Sequence, residues 1–211
     1  MIGDSMVNRL QMKFGLLAAC LALASFANSQ ADPNADSKKG DFDVDLLGKA
    51  HEFTIFGGES LLILGTEDRR TILGASYGYV RPDKRLAFRG YPAQMVQEIK
   101  FDYSRAGGEY PRDPRSDMAI GALFYAHYEW PWQAPRGFYF DWGGGAESVQ
   151  HTSHDLPLSF NGALMLGFGY HLPVGSQKLL FGIRYYHISN AGRKRPNFGQ
   201  NQIEATVGIH F

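Results

Sequence analysis

Tyr185-Tyr186-His187-Ile188-Ser189-Asn190-Ala191-Gly192 leads through Arg193-Lys194-Arg195-Pro196-Asn197-Phe198-Gly199-Gln200 into the final run Asn201-Gln202-Ile203-Glu204-Ala205-Thr206-Val207-Gly208-Ile209-His210-Phe211. Read with period two, the final run places Ile203, Ala205, Val207, Ile209 and Phe211 on one face and Glu204, Thr206, Gly208 and His210 on the other, the alternation of a strand with one apolar side. In water, an edge strand ending on an exposed aromatic is an aggregation liability. In a bilayer, apolar-out and polar-in alternation is what a barrel wall requires. Residues 201–211 also supply about the 9–11 residues with which a tilted strand crosses the hydrocarbon layer.

The strand before the loop follows the same rule, with Leu179, Phe181, Ile183 and Tyr185 on one face and Gly182, Arg184 and Tyr186 on the other. Continuing the count carries His187 and Ser189 onto the apolar face. Asn201, two residues before Ile203, lies on the apolar face of its own strand. An antiparallel hairpin around a loop of about ten residues therefore gathers His187, Ser189 and Asn201 at one end of one face. Three polar side chains pointing towards lipid are costly unless they are used, and this marks them as a candidate site.

These residues resemble the signature of the outer-membrane lipid A 3-O-deacylases, the PagL family of acyloxyacyl hydrolase-like barrels. The matching stretch is His187-Ile188-Ser189-Asn190-Ala191-Gly192, followed by Pro196-Asn197, Gly199 and the aromatic C-terminus. The likeness extends back to about Phe138, through Asp141-Trp142-Gly143-Gly144-Gly145-Ala146 and the strand over residues 160–172. It implies Ser189 as nucleophile and His187 as general base, with an acidic residue fourteen positions after the histidine to orient the imidazole; here that position holds Asn201. An amide oxygen can accept the histidine N–H and fix its tautomer, but it cannot stabilise the imidazolium with a full charge. Asn201→Glu is accordingly expected to preserve or raise activity. Glu204 has the parity of the barrel interior and does not replace Asn201. Asn190 and the backbone N–H groups around Gly192 are the candidate oxyanion donors, since an acyl-transfer intermediate needs preorganised donors.

The N-terminus reads as an export signal: Arg9 and Lys13 precede the apolar run 14–26, and Ser25-Phe26-Ala27 is a small-x-small cleavage site, giving a signal peptide over 1–27. Leu17-Ala18-Ala19-Cys20 also matches a lipoprotein box, but the apolar run continues past it. Cleavage after Ala27 removes the one cysteine, and with it both disulfides and a thiol nucleophile. Residues 28–49 form a polar periplasmic leader rich in Asp, Asn, Ser and Lys, and residues 50–211 form the barrel domain.

With 21 basic and 21 acidic residues the chain is formally neutral, which gives no reason to expect nucleic acid as a partner. A mean hydropathy of −0.27 argues against a helical membrane protein, though not against a barrel, whose strands are half apolar. Strands are expected over 53–65, 71–80, 93–103, 118–130, 138–149, 158–172, 178–189 and 201–211. These make an all-β, eight-stranded antiparallel transmembrane β-barrel of the outer-membrane type. Tyr128, Trp130, Trp132, Tyr170 and Tyr185 suit interfacial girdles. Glu98, Lys100, Asp102, Glu129, Asp141, Glu147, Arg184 and Glu204 fall on inner faces, where a narrow barrel requires them to pair. His151 and His154 read as loop residues, not metal ligands, and His51, His127, His171 and His210 as isolated.

With both termini periplasmic, the loop 190–200 is extracellular and His187, Ser189 and Asn201 lie at outer-leaflet depth. Arg193, Lys194 and Arg195 can there attract the phosphates of lipopolysaccharide while the wall accepts an acyl chain. The expected function is outer-membrane ester hydrolysis on lipid A, at the 3-O position by resemblance, needing no cofactor. The alternative from another class is a small non-catalytic barrel that binds lipid or supports the membrane.

Overall fold

The computed structural model describes residues 50–88, 91–107, 113–130, 136–195 and 197–211. The expected signal peptide and leader, and Trp132, lie outside them. The chain forms β1 (Ala50–Leu61), β2 (Arg70–Phe88), β3 (Tyr91–Ala106), β4 (Asp117–Trp130), β5 (Gly137–Val149), β6 (Phe160–Val174), β7 (Gln177–Ser189) and β8 (Gln200–His210). Every strand pairs antiparallel with its sequence neighbour, and β1 pairs with β8, so the sheet is a closed barrel in sequence order. Closure pairs the first strand with the last, so β8 has no free edge, the requirement that made the terminal aromatic acceptable. Phe211 is tied across the seam by two backbone hydrogen bonds with His51, of 2.7 and 2.9 Å.

The outer face is apolar. Phe53, Phe101, Phe124, Trp142, Leu164, Phe168 and Ile183 are all exposed there, a belt that water would not tolerate and hydrocarbon favours. The interior is charged and paired. Arg184 Nη1 reaches Glu98 Oε1 at 2.9 Å, Lys178 Nζ reaches Glu129 Oε1 at 2.6 Å, and Lys100 Nζ lies 2.7, 3.5 and 3.4 Å from Asp102, Glu147 and Glu204. His127 and His171, expected to be isolated, belong to this network: His127 Nδ1 sits 2.7 Å from Asp141 Oδ1, and His171 Nδ1 3.7 Å from Glu129. Strand parity alone does not reveal such pairings, because the partners of His127 and His171 lie on other strands, whose register parity does not give.

Two boundaries differ from the sequence reading. β1 spans Ala50–Leu61 where the sequence predicts 53–65, and it passes through Gly57 and Gly58 because a Cβ at Gly58 would overlap the Ile203 carbonyl and the glycine is what lets β8 approach so closely. β1 then stops at Leu61, because Leu64 (φ 50°) and Gly65 (φ 99°) turn the chain. β2 continues past Pro82, which a central strand would exclude. Its pairing with β1 ends at Val80, so beyond that point Pro82 is on an edge and pairs with β3 alone.

Segments 62–69, 107–116, 150–159 and 190–199 connect strands at one end of the barrel, while 89–90, 131–136 and 175–176 connect them at the other, which also carries Ala50 and Phe211. The candidate residues sit at the end with the longer connections.

Candidate active site

β7 and β8 bring His187 opposite Asn201 in register. His187 and Ser189 point outward from β7, both half-buried, with buried Ile188 between them facing the core. Two residues along a strand separate the Cα atoms by roughly 7 Å, a span that side chains leaning together can close. Between them lies Gly199. A Cβ placed on it would stand 3.0 Å from His187 Cε1, 3.2 Å from Ser189 Cβ and 2.7 Å from the Ile188 carbonyl oxygen, and its φ is +71°. Only glycine fits there, for reasons of both space and backbone angle.

Asn201 is fully buried, and its hydrogen bonds determine which way its amide faces. Nδ2 donates to the Ile63 carbonyl oxygen at 2.9 Å and to Thr66 Oγ1 at 2.8 Å. A carbonyl can only accept, so the amide nitrogen must face Ile63 and Oδ1 must face the other way. Oδ1 lies 2.9 Å from His187 Nδ1 and also accepts a short hydrogen bond from the Tyr185 hydroxyl. Because Oδ1 has no hydrogen to give, His187 must carry its proton on Nδ1, leaving Nε2 as the ring's basic lone pair.

The loop after β7 is held from inside. Asn190, fully buried, takes its backbone N–H to Asn197 Oδ1 at 3.1 Å and its Nδ2 to the Lys194 carbonyl at 2.8 Å, while its own carbonyl accepts Arg193 Nε at 3.0 Å. Asn190 thus braces the turn that carries Gly192. Gly192 itself is exposed, at φ +77°, with nothing near its Cα face. Arg193 also donates to the Phe160 carbonyl and lies over the Phe160 ring at 5.7 Å. Lys194 Nζ reaches the Pro157 carbonyl at 3.3 Å, and Arg195 is exposed. The structure therefore brings His187, Ser189 and Asn201 to one place and docks Lys194 on the neighbouring 150–159 segment and Arg193 on Phe160 at the start of β6.

That segment contributes a second brace. Asp155 accepts the backbone N–H groups of Glu67 and Asp68, at 3.1 and 2.9 Å, and its carbonyl accepts Gly199 N–H at 3.0 Å. His154 stacks on Phe198 with ring centroids 4.8 Å apart, while His151 N–H donates to Asp117 at 2.9 Å. Among the described residues no group of three His, Cys, Asp or Glu side chains is arranged to hold a metal ion.

Sequence reasoning missed Ile63, Thr66 and the Tyr185 hydroxyl. Tyr185 has the same parity as His187 and was within reach of that argument. Ile63 and Thr66 stand well over a hundred residues from Asn201, and only the β1–β8 seam brings them near.

Comparison with known proteins places this geometry in context. A family model described as Lipid A 3-O-deacylase (PagL) matches residues 74–210. The crystal structure of the outer membrane enzyme PagL is similar at a TM-score of 0.55 and 19% identity, covering 74% of this chain and 97% of that one. Neisserial surface protein A (NspA) is similar at a TM-score of 0.50 and 16% identity, covering 77% and 95% respectively. No curated protein matches the chain in sequence. The two structural likenesses show the fold, an eight-stranded barrel of the outer-membrane type.

Proposed function

Because the chain belongs to the lipid A 3-O-deacylase (PagL) family, we propose that it is an outer-membrane serine esterase that hydrolyses an ester-linked acyl chain of lipid A, at the 3-O position in keeping with the family. The observation that carries this reading is the fixed Asn201 amide, which sets His187 as an Nδ1–H donor with Nε2 left as the basic lone pair, on the outward face that Ser189 shares. In this reading, Nε2 takes the Ser189 Oγ proton as Oγ attacks the ester carbonyl. The tetrahedral intermediate collapses as the imidazolium returns that proton to the departing sugar oxygen, leaving the acyl group on Ser189. Water, deprotonated by the same nitrogen, then releases the fatty acid and restores the serine.

Asn201 serves here as a neutral orienter, fixing tautomer and ring angle without a countercharge for the imidazolium. Backbone N–H groups at the turn around Gly192 are the proposed oxyanion donors, with Asn190 holding that turn in place through its bonds to Asn197 and Lys194. The end with longer connections is assigned to the cell exterior, since short turns are periplasmic in bacterial barrels. His187, Ser189 and Asn201 then meet the outer leaflet, whose phosphates Arg195 and the free faces of Arg193 and Lys194 attract. Signal-peptide cleavage near Ala27 is part of the same proposal. The test is turnover of purified lipid A in detergent: wild type releases fatty acid, Ser189→Ala and His187→Ala release none, and all three keep the migration of a folded barrel on unheated gels. Wild-type turnover by Ser189→Ala would remove Ser189 from the chemistry.

A further inference from the structure

The β1–β2 connection touches the candidate site at one place, and its hydrogen bonds there form a closed set. Thr66 Oγ1 accepts Asn201 N–H at 2.9 Å and Asn201 Nδ2–H at 2.8 Å, and donates its own hydrogen to the Gly199 carbonyl at 3.0 Å. Thr66 N–H closes the turn on the Ile63 carbonyl at 3.0 Å, the same oxygen that accepts the other Asn201 amide hydrogen at 2.9 Å. A hydroxyl has one hydrogen and two acceptor lone pairs, so Thr66 is saturated and its rotamer fixed. The turn that sets Ile63 and Thr66 side by side includes Leu64 at φ 50°, a conformation that a branched side chain adopts only where its surroundings enforce it.

We propose that Thr66 is a positioning residue of the site, acting through Asn201 to hold His187 in its Nδ1–H tautomer; this rests on the reading of His187 as the base. Oδ1 is directed at His187 only because both amide hydrogens are taken up on the opposite side. Were the amide to turn over, its NH2 group would face His187 Nδ1, which would then have to accept, moving the proton to Nε2 and disabling the nitrogen that the proposed mechanism uses as base. Two contacts oppose that flip: the Ile63 carbonyl, which only accepts, and Thr66 Oγ1, whose single hydrogen is committed to Gly199. The same pair is complementary to an amide and not to a carboxylate, which would bring a second acceptor against the Ile63 oxygen. Thr66 also holds, through Gly199, the residue that sits between His187 and Ser189.

The experiment uses the full barrel in detergent micelles with 15N-labelled histidine, the His187 signals being identified by their loss in His187→Gln. At a pH where the ring is neutral, wild type should show His187 as the Nδ1–H tautomer. Thr66→Val, close in shape but unable to accept or donate, should show a mixture of tautomers and a fall in kcat of about tenfold, the scale of one or two lost buried hydrogen bonds, with KM little changed. Thr66→Ser should restore both tautomer and rate, which a purely structural role for the methyl group would not predict. Thr66→Ala is the parallel variant should the valine not fold. An unchanged tautomer in both Thr66→Val and Thr66→Ala, or a serine variant as impaired as the valine one, would overturn the proposal. Because the tautomer is read without turnover, it decides the role of Thr66 even if wild type proves inactive on lipid A, a result that would count against the deacylase reading instead.

Discussion

Gly199→Ala is a small change whose effect follows directly from the geometry. The added methyl would stand 2.7 Å from the Ile188 carbonyl oxygen, 3.0 Å from His187 Cε1 and 3.2 Å from Ser189 Cβ, at a backbone φ of +71°. The left-handed conformation alone costs an alanine roughly 1–2 kcal/mol, and relief of the backbone contact requires the strand end or the loop to move by several tenths of an ångström. Both remedies separate His187 from Ser189, or leave a methyl wedged between them. Misplacement of reacting groups by about 1 Å costs on the order of 100-fold in rate, so kcat on purified lipid A should fall by about that factor. The barrel should still close, because its ladder is complete without residue 199, as heat-dependent gel migration would show. If Gly199→Ala keeps turnover within about twofold of wild type while folded, the space beside Gly199 is not where the chemistry occurs, and the assignment of His187 and Ser189 fails with it.

The seam geometry reverses the expectation for Asn201→Glu that the sequence suggested. The longer carboxylate must enter a fully buried site and turn an acceptor towards the Ile63 carbonyl, so it should lower thermal resistance by an amount equivalent to about 1–3 kcal/mol without raising kcat; unfolding of the purified variant beside wild type checks this, and a faster enzyme of equal stability would refute it. Asp68 is buried, and that burial, reinforced by the charge of Asp155, raises its pKa despite the opposing charge of Arg70. An acid with a raised folded-state pKa costs nothing while it is protonated in both states, and destabilises as pH rises from its unfolded value through its folded one. Asp68→Asn should therefore gain stability over wild type as pH rises above the ordinary carboxylate range, and thermal melts in which the variant instead loses ground with rising pH would contradict the sign. Cysteine at Arg195 should label from outside intact cells while cysteine at Ile183 stays shielded by lipid; labelling of residue 195 only after outer-membrane disruption would invert the proposed topology.

Much of the fold was legible because a strand's two faces repeat every second residue. That period gave the outward row through Ile183, Tyr185, His187 and Ser189 and the opposing position of Asn201, and the register of β7 on β8 agrees with it. What local patterns could not show was set by barrel closure. Gly57 and Gly58 look like a strand break until β8 is known to pass against them, and Pro82 looks like a terminator until β1 is known to end beside Val80. The interior partners of His127 and His171 lie on other strands. The same limit applies to the site. His187 to Asn201 is a hairpin contact and can be read from parity and loop length, whereas Ile63 and Thr66 reach Asn201 only where the first and last strands meet.

The central claim, that Ser189 hydrolyses an acyl ester of lipid A, is tested most directly by mass spectrometry of lipid A after incubation with the purified wild-type barrel and, in parallel, with Ser189→Ala. Wild type should yield lipid A lighter by one ester-linked acyl chain, with an equimolar amount of free fatty acid, and the serine variant should leave the lipid intact. Unchanged lipid A from the folded wild-type protein, or the same loss of mass with both proteins, would contradict it.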